Sequence, residues 1–502
     1  MSEPNSAVSK PTPNLQLPGN PRYQPKQMIP IFGYDNLWQS GPARVEISTL
    51  LALGSLGIIP KQTIQLLDGE MMKKLLAITT TEVDRVERTI TQHDVRAWII
   101  LAKEITGPEL GKFVHFPLTS YDALSTGQVL QFKSAHNNAL QPAIMSVVKA
   151  LTNRVRETSK IIQIGRTHGQ HAVPITIGFW LATILDRILY DWKALRNAEK
   201  NLVGKISGPV GAYNAQVLLG VEDAAQRLFG KSFECLVLEP LNLKPAKIST
   251  QILPPGPLYS YLSACTTLSA SIAQFGRDCR SLMRTEINEI REEFSESQSG
   301  SSTMPHKRNP VHFENMEGMW TKNMGELEKV GHTLISEHQR DLTGSSVSRD
   351  FPIIVVNLQH QLNSLLRLNK DNSPFLNNIG IDEERCQRNL KLQGDLIMAE
   401  PLYLLLQQFG YEDDAHHLIN HTLVPKVNKK KGISLIDALI AESRINTNLQ
   451  NALEKVPTDM LNKLLDPQQY IGSAVEKAIE IADQADRIIQ EIEHNQQQPT
   501  KI

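Results

Sequence analysis

The chain has 502 residues, and its 52 lysines and arginines nearly balance 53 aspartates and glutamates, which leaves a formal net charge of −1. This balance argues against a nucleic acid or an anionic membrane surface as the main partner, although a local basic pocket is compatible with it. Hydrophobic residues make up 41% of the chain, which supplies a sizeable core and excludes a wholly disordered protein.

The first part of the chain predicts a leader and a domain of short helices. Residues 1–21 are rich in Pro, Asn and Ser and predict a flexible leader. They contain no apolar segment of the signal-peptide kind, so a cytoplasmic protein is expected. Residues 22–119 predict an N-terminal helical domain, in which the apolar spacing of 81–104 suits a helix.

The centre of the chain, residues 120–372, predicts a domain built as a bundle of long helices. Good helix formers dominate four stretches without strand alternation, namely 128–160, 174–202, 256–293 and 311–335. Each is far longer than the ~11–12 residues of an average globular helix, and none reaches the ~20 consecutive apolar residues of a membrane span. Residues 373–502 predict a C-terminal domain of shorter helices that ends in a frayed tail at 495–502.

Neither the cysteine spacing nor any loop motif in the sequence indicates a cofactor. None of the 4 cysteines (Cys235, Cys265, Cys279 and Cys386) forms a CxxC pair or lies near a histidine at metal-ligand spacing. They predict reduced, structural thiols. The sequence contains no Walker or GxGxxG loop and no metal-ligand pattern, so neither a metal nor a cofactor is predicted.

Two histidine segments have polar surroundings. His93 lies in 91–95, and His168 lies in 165–172 among Gly, Thr and Arg residues. Such histidines can titrate near neutral pH, as a general acid must, although a lone loop histidine is more often solvated. Thr119 and Ser120 precede a predicted long helix, where they suit both an N-cap and an anion site.

Two polar loops complete the candidate site. The segment 299–310, SGSSTMPHKRNP, lies between predicted long helices, and its small residues let the backbone curl around an anion. A plain Ser/Gly linker is the alternative, but the Met, Pro, Lys and Asn that follow argue against it. In 340–349, Arg340, Ser345 and Arg349 have the spacing to surround a phosphate, unless the segment is simply a polar loop.

The string SGSSTMPHKRNP closely resembles the signature of the fumarase/aspartase superfamily of lyases, in the form carried by adenylosuccinate lyases and bacterial 3-carboxymuconate cycloisomerases. GRTHGQHAVP at 165–174 resembles the second signature of that superfamily. Arg22-Tyr23 and the 340–349 segment resemble motifs of the adenylosuccinate lyases. The resemblance covers nearly the whole chain from Arg22 and implies an all-α, three-domain fold with a central bundle of long helices, assembled as a tetramer.

The resemblance also implies residue roles. Ser301 is the base, His168 protonates the leaving nitrogen, Glu314 pairs with His168, and His93 assists and contacts the substrate phosphate. The implied substrate-binding residues are Arg22, Tyr23, Thr119, Ser120, Gln251, Ser302, Lys307, Asn309, Arg340, Ser345 and Arg349. Gln92, Gln339 and Ser348 depart from the family pattern, which often has Arg at the first position and Glu at the other two.

The implied chemistry is β-elimination, in which a C–N bond breaks and fumarate leaves. Removing the proton beside a carboxylate creates a doubly charged aci-carboxylate, which Lys307, Asn309, Thr119, Ser120 and loop amides would stabilise. A free serine is a poor base, so Ser301 requires a stabilised alkoxide.

Three functions remain open from the sequence. The first is an adenylosuccinate lyase of purine biosynthesis, which acts on adenylosuccinate and on the succinyl-aminoimidazole-carboxamide ribotide without a cofactor, in tetramers whose sites are shared between subunits. The second is a cycloisomerase-like or other lyase of the superfamily with a smaller tricarboxylate-like substrate. The third is a non-catalytic helical scaffold. The arginine clusters favour the first, because a substrate without phosphate would not require them, and the intact catalytic residues argue against the third.

Overall fold

The computed structural model describes residues 17–292, 303–369, 372–429 and 432–497. The chain is dominated by α-helices, which confirms the predicted all-α class. The helices of the first part are α1 (Ile29–Phe32), α2 (Leu37–Ser40), α3 (Pro42–Ser55), α4 (Lys61–Ile64), α5 (Gly69–Leu76), α6 (Thr80–Val86), α7 (Asp94–Gly111) and α8 (Ser120–Ala135).

The central helices include the longest of the described chain. They are α9 (Gln141–Glu157), α10 (Ile177–Lys200), α11 (Asn214–Leu218), α12 (Val221–Phe229), α13 (Phe233–Leu238), α14 (Pro255–Leu282), α15 (Val311–His332), α16 (Thr343–Val347) and α17 (Pro352–Leu365). Three of the predicted long helices are confirmed, with α10, α14 and α15 running for 24, 28 and 22 residues. The stretch 256–293 is helical only to Leu282 and contains a short strand at Ile290–Arg291. The stretch 128–160 is divided into α8 and α9 by the π-helical turn His136–Leu140.

The last part of the chain is also helical. Its helices are α18 (Glu383–Leu390), α19 (Ala399–Gln408), α20 (Ala415–His417), α21 (Val424–Lys429), α22 (Leu435–Ser443), α23 (Thr447–Lys455), α24 (Thr458–Leu465) and α25 (Ala474–Gln497). The expectation of short helices holds until α25, whose 24 residues continue into the predicted tail. Alanines at 478, 482 and 485 are fully buried, so one face of small residues packs α25 against the rest of the unit.

The strands form short pairs that add little to the core. They are β1 (Ile162–Thr167), β2 (Gln170–Thr176), β3 (Val203–Gly204), β4 (Lys244–Pro245), β5 (Ile290–Arg291) and β6 (Gly380–Ile381). β1 pairs antiparallel with β2, β3 parallel with β4, and β5 antiparallel with β6.

Cα packing divides the chain into two compact units. The first contains Met1–Ser146, Tyr190–Ala273 and Asn315–Leu366, and the second contains Val147–Leu189, Gln274–Glu314 and Arg367–Ile502. The first unit has an aromatic core, in which the Phe132 ring lies 5.5 Å from Phe32 and 6.0 Å from Tyr261. In the second unit, leucines of the C-terminal helices form a buried cluster. The predicted domains 22–119, 120–372 and 373–502 stay a prediction.

The helix expected at 81–104 is interrupted. α6 passes into the π-helical turn Glu87–Thr91, and Gln92 then adopts a left-handed backbone with φ of 52°. α7 starts afresh with His93 as its N-cap. The apolar spacing hid this break because both helices bury the same kind of face, with Val83, Val95 and Trp98 about 1% exposed.

The cysteines are free thiols, and Cys265, Cys279 and Cys386 are buried, in agreement with the predicted structural role. Burial raises the pKa of Cys265 and of Cys386 to about 12. In the described residues, no helix is long and apolar enough to cross a membrane.

A buried ion pair joins α8 to the segment after β3. Both side chains, Asp122 and Lys205, are 0% exposed and in hydrogen-bonding contact. The Asp122 carboxylate also accepts the backbone amides of Thr119, Ser207 and Gly208, at distances of 2.9 to 3.3 Å. A charge taken out of water needs such a complete set of partners, so this pair fixes two backbone segments together, 119–122 and 205–208.

We expect Lys205→Met to lower the free energy of unfolding by about 3–5 kcal/mol, because it leaves the Asp122 charge buried without its cation. Adding Asp122→Asn should recover part of the loss, since no charge then remains. The control is Lys73→Met, whose partner Glu70 is, like Lys73 itself, about three-quarters exposed. Urea denaturation measures all three, and equal losses for Lys205→Met and Lys73→Met would contradict this account.

Candidate active site

Three segments of the first unit meet at the start of α8. The guanidinium carbon of Arg340 lies 3.2 Å from the ring centroid of Tyr121, and Arg340 Nη1 donates to Gln251 Oε1 at 3.1 Å. The Tyr121 hydroxyl lies 3.0 Å from Ser345 Oγ. The structure therefore brings together Gln251, Arg340 and Ser345, which the sequence predicted as binding residues. Tyr121 joins them, although sequence reasoning gave it no role.

Backbone interactions explain how these segments are held. The Asp122 carboxylate accepts the Thr119 amide at 2.9 Å, which fixes Thr119 and Ser120 at the N-terminus of α8. Ser207, whose amide also donates to Asp122, has its hydroxyl 2.7 Å from Ser249 Oγ, two residues before Gln251. The Asp122–Lys205 pair is thus connected to both sides of the Arg340 cluster.

A cavity opens beside the Arg340 cluster. It encloses about 930 Å³ of empty space, counting its solvent-open mouth. Tyr121, Arg340 and Ser345 supply polar groups, whereas apolar side chains form much of the remaining wall, among them Leu202, Ile252, Leu258, Val330 and Phe351. Further polar side chains line it as well, namely Ser125, Gln128, Thr333, Ser336, Asp341 and Ser348. Such a cavity suits a ligand that carries polar or charged groups on an apolar body.

His93 and Arg349 lie on opposite sides of one carboxylate. His93 Nδ1 is 3.4 Å from Asp94 Oδ1, and Arg349 Nη2 is 3.7 Å from Asp94 Oδ2. The Arg96 amide reaches His93 Nδ1 at 3.5 Å. Asp94 was missed from the sequence, where it reads as an ordinary first-turn acid of α7. It holds two predicted phosphate-contacting residues near each other.

Arg22 and Tyr23 belong to a second basic group. The Tyr23 ring meets His360 edge-on at 5.3 Å, while Lys322 Nζ lies 5.5 Å from its centroid. Arg22 is exposed, with its guanidinium carbon 6.0 Å from the same ring. Burial lowers the pKa of Lys322, and burial with the nearby Lys322 charge lowers that of His360. Neither had a signal in the sequence, because each lies within a regular helix.

His168 occupies the tip of a β-hairpin in the second unit. The segment 165–172 was expected to be a loop between long helices, but β1 and β2 pair antiparallel, with Thr167 opposite Gln170. His168 and Gly169 form the two-residue turn with φ of 54° and 76°. A turn of two left-handed residues matches the twist of a hairpin, so the strands can continue up to the histidine.

A buried carboxylate supports this hairpin. The Glu289 side chain is 0% exposed, and its two oxygens accept the Arg166 guanidinium at 2.6 and 3.0 Å. Gln163 and Asn389 each donate to it at 2.8 Å. Four donated hydrogen bonds satisfy the carboxylate and anchor β1 beside β5 and α18.

The remaining candidates surround the start of α15. Lys307 is exposed, Asn309 is half-buried, and Glu314 is an exposed residue of the first turn. The described residues show no hydrogen bond or ion pair between Glu314 and His168, so their pairing stays a prediction. Ser301 and Ser302 lie outside the described residues.

A helical chain with this arrangement of basic clusters and a histidine-tipped hairpin fits a lyase. Residues 60–325 match a family model described as lyase. The chain is 32% identical to the adenylosuccinate lyase of Pyrococcus horikoshii over 93% of this chain and 98% of that protein. It is 28% identical to the N-acetyl-S-(2-succino)cysteine lyase of Dickeya dadantii, over 88% and 91%.

A solved structure has a similar fold. The 3-carboxy-cis,cis-muconate lactonizing enzyme of Pseudomonas putida superposes with a TM-score of 0.76 at 24% identity, covering 93% of this chain and 98% of that one. The chain belongs to the fumarase/aspartase superfamily of lyases.

We expect Arg166→Met to lower the free energy of unfolding by about 3–5 kcal/mol, because Glu289 would lose its buried cation. Amide exchange in 162–176 should also become faster. Arg291→Met is the control. Arg291 pairs with Asp382, but its side chain is 55% exposed, so this ion pair should contribute only about 0–1 kcal/mol. Unchanged exchange in the hairpin of Arg166→Met would contradict the anchoring role.

Proposed function

We propose that this chain is an adenylosuccinate lyase, which eliminates fumarate from adenylosuccinate to leave AMP and acts likewise on the succinyl-aminoimidazole-carboxamide ribotide of purine biosynthesis. The observation that carries the proposal is the Arg340 cluster, in which Tyr121 and Gln251 hold the guanidinium beside Ser345 at a largely apolar cavity. A nucleotide monophosphate combines an anion with a flat base, as this cavity requires. The similarity to an adenylosuccinate lyase over 93% of the chain supports the same substrate.

The phosphate would be bound by the basic residues of the first unit. Arg340, Ser345 and Arg349 offer forked and hydroxyl donors, with His93 near Arg349 through Asp94. Arg22 and Tyr23 would add a further cation and a hydroxyl. Gln92 offers no charge here, so the phosphate would depend on these arginines.

The succinyl part would be bound where helices begin. Thr119 and Ser120 lie at the N-terminus of α8, whose dipole favours a carboxylate. Lys307 and Asn309 precede α15 and would stabilise the second negative charge as the aci-carboxylate forms. Ser302 would contact the same group.

The two proton transfers would fall to Ser301 and His168. Ser301, as an alkoxide stabilised by backbone amides and Lys307, would remove the proton beside the carboxylate. His168, paired with Glu314, would donate a proton to the departing nitrogen and so release the nucleotide. The hairpin turn projects His168 into solvent, where a substrate can reach it.

We also propose a cytoplasmic homotetramer whose active sites combine residues of different subunits. His168 and Glu314 are both exposed, and in the described residues neither has a hydrogen-bond partner for its side chain. Partner subunits would then complete the surroundings of these residues.

A thioether-cleaving lyase is the second candidate, because a relative named N-acetyl-S-(2-succino)cysteine lyase covers 88% of the chain. By its name, that substrate carries a succinyl group but no phosphate. The Arg340 cluster with Tyr121, Gln251 and Ser345 favours the nucleotide.

An absorbance assay with adenylosuccinate and with the thioether N-acetyl-S-(2-succino)cysteine tests the proposal. The purified protein should cleave adenylosuccinate, and Ser301→Ala and His168→Ala should each lose at least about a hundred-fold in kcat. Arg340→Met should lower kcat/KM for adenylosuccinate but leave any turnover of the thioether unchanged. Turnover of the thioether alone would refute the nucleotide assignment.

Mixing inactive variants tests the shared sites. Ser301→Ala combined with His168→Ala should recover about a quarter of the full activity, because some sites then receive both intact residues. The control mixture, Ser301→Ala with a Ser301→Ala/His168→Ala double variant, contains no intact serine and should recover none. A lack of recovery in the first mixture, with subunit exchange shown by mass spectrometry, would exclude shared sites.

A further inference from the structure

Glu292 is a buried carboxyl that links a strand to the start of α15. It follows β5, whose pairing places Ile290 opposite Ile381 on β6. The residue is 4% exposed. Its Oε1 accepts the amide of His312 at 2.9 Å and that of Phe313 at 3.2 Å. A side chain 20 residues earlier in the chain therefore caps this helix.

The cap is needed because the first amides of a helix have no partner within the helix. Phe313 is 0% exposed, so water cannot replace the acceptor. The Phe375 ring packs 5.2 Å from His312 and 5.8 Å from Phe313, which covers the same turn. Glu292 thus accepts two buried or half-buried amides at the start of α15.

This turn carries residues of the proposed reaction. The Glu314 amide donates to the Pro310 carbonyl, and the Val311 amide donates to the Asn309 carbonyl, both at 2.9 Å. Any tilt of the first turn would therefore move Asn309 and Glu314 together. Active sites are sensitive to such shifts, since a displacement of about 1 Å can cost about a hundred-fold in rate.

The other oxygen of Glu292 has a different environment. In the described residues, Oε2 is buried without a hydrogen-bond partner. The pKa of Glu292 is raised from 4.5 to about 7, mainly by burial and in smaller part by the nearby Glu314 charge; the amides of Phe313 and His312 and the charge of Arg367 act in the opposite direction. The Cys279 thiol interacts electrostatically with Glu292. Burial is the main cause that raises the pKa of this thiol well above its usual value. Oε1 can accept the amides whether or not Oε2 carries a proton.

We infer that Glu292 is a positioning residue for the elimination: by capping α15, it fixes the direction in which Asn309 and Glu314 leave the helix start. The inference rests on the proposed function, in which those two residues serve the reaction. Glu292 acts through the helix and does not need to touch the substrate.

The test compares Glu292→Ala, which removes the acceptor, with Glu292→Gln, which keeps it. In Glu292→Ala, the amides of His312 and Phe313 should exchange at least about tenfold faster. The kcat for adenylosuccinate should fall about 10- to 100-fold, with KM changed less than about threefold. Glu292→Gln should stay within about threefold of the parent in each respect. Glu286→Ala, which removes a carboxylate that is 69% exposed, is the matched control and should change nothing.

The outcomes separate this inference from the proposed function. If the parent protein does not cleave adenylosuccinate, the proposed function fails, while the exchange data still test the cap. Unchanged exchange in Glu292→Ala, or faster exchange with an unchanged kcat, would overturn the positioning role.

A stability measurement adds a pH signature. Because its folded pKa is raised, Glu292 contributes stability that is present below about pH 4.5 and lost as the pH rises through about 7. Glu292→Gln cannot ionise, so its Tm relative to the parent should increase between pH 5 and pH 8. A difference in Tm that does not vary with pH would contradict the buried titration.

Discussion

The ion pair between Asp122 and Lys205 is the constraint on which the first unit depends. A charge with no exposure cannot be left half-satisfied, so the carboxylate gathers the lysine and the amides of Thr119, Ser207 and Gly208. Those contacts fix the N-terminus of α8. Through the hydroxyl contact between Ser207 and Ser249, they also fix the backbone segment that leads to Gln251. The cluster around Arg340 is therefore held in place by Asp122, Lys205 and Ser207, which do not line the cavity.

The second unit repeats this solution with carboxyl groups of a neighbouring segment. Glu289 gathers three side chains under the histidine hairpin, and Glu292 gathers two amides at the start of α15. Both oxygens of Glu289 are hydrogen-bonded, whereas at Glu292 only Oε1 accepts the two amides. Interior groups thereby position the exposed residues of the proposed reaction, in which they take no part themselves.

The sequence predicted the helical class, the long central helices and the polar segment 340–349, because composition, length and polar spacing are local properties. It also named Gln251 and Ser345, which the structure brings within one cluster. It did not predict the break before His93 or the hairpin around His168, since both depend on left-handed backbone at Gln92, His168 and Gly169. Tyr121 and Lys322 were missed because only tertiary packing distinguishes them from ordinary helix residues.

The turn at His168 joins two requirements in one residue. Its backbone is left-handed, a conformation that only a few side chains tolerate, and its imidazole is the proposed acid. A substitution there changes the proton donor and the hairpin geometry at once, so mutational paths through this position are narrow. Asparagine, which accepts this backbone and cannot donate a proton in the same way, separates the two requirements, whereas a β-branched replacement confounds them. Because one residue meets both requirements, the hairpin tip tolerates few redesigns of the proton donor. A comparison of substitutions there can nevertheless separate the effect of the backbone from the effect of the imidazole.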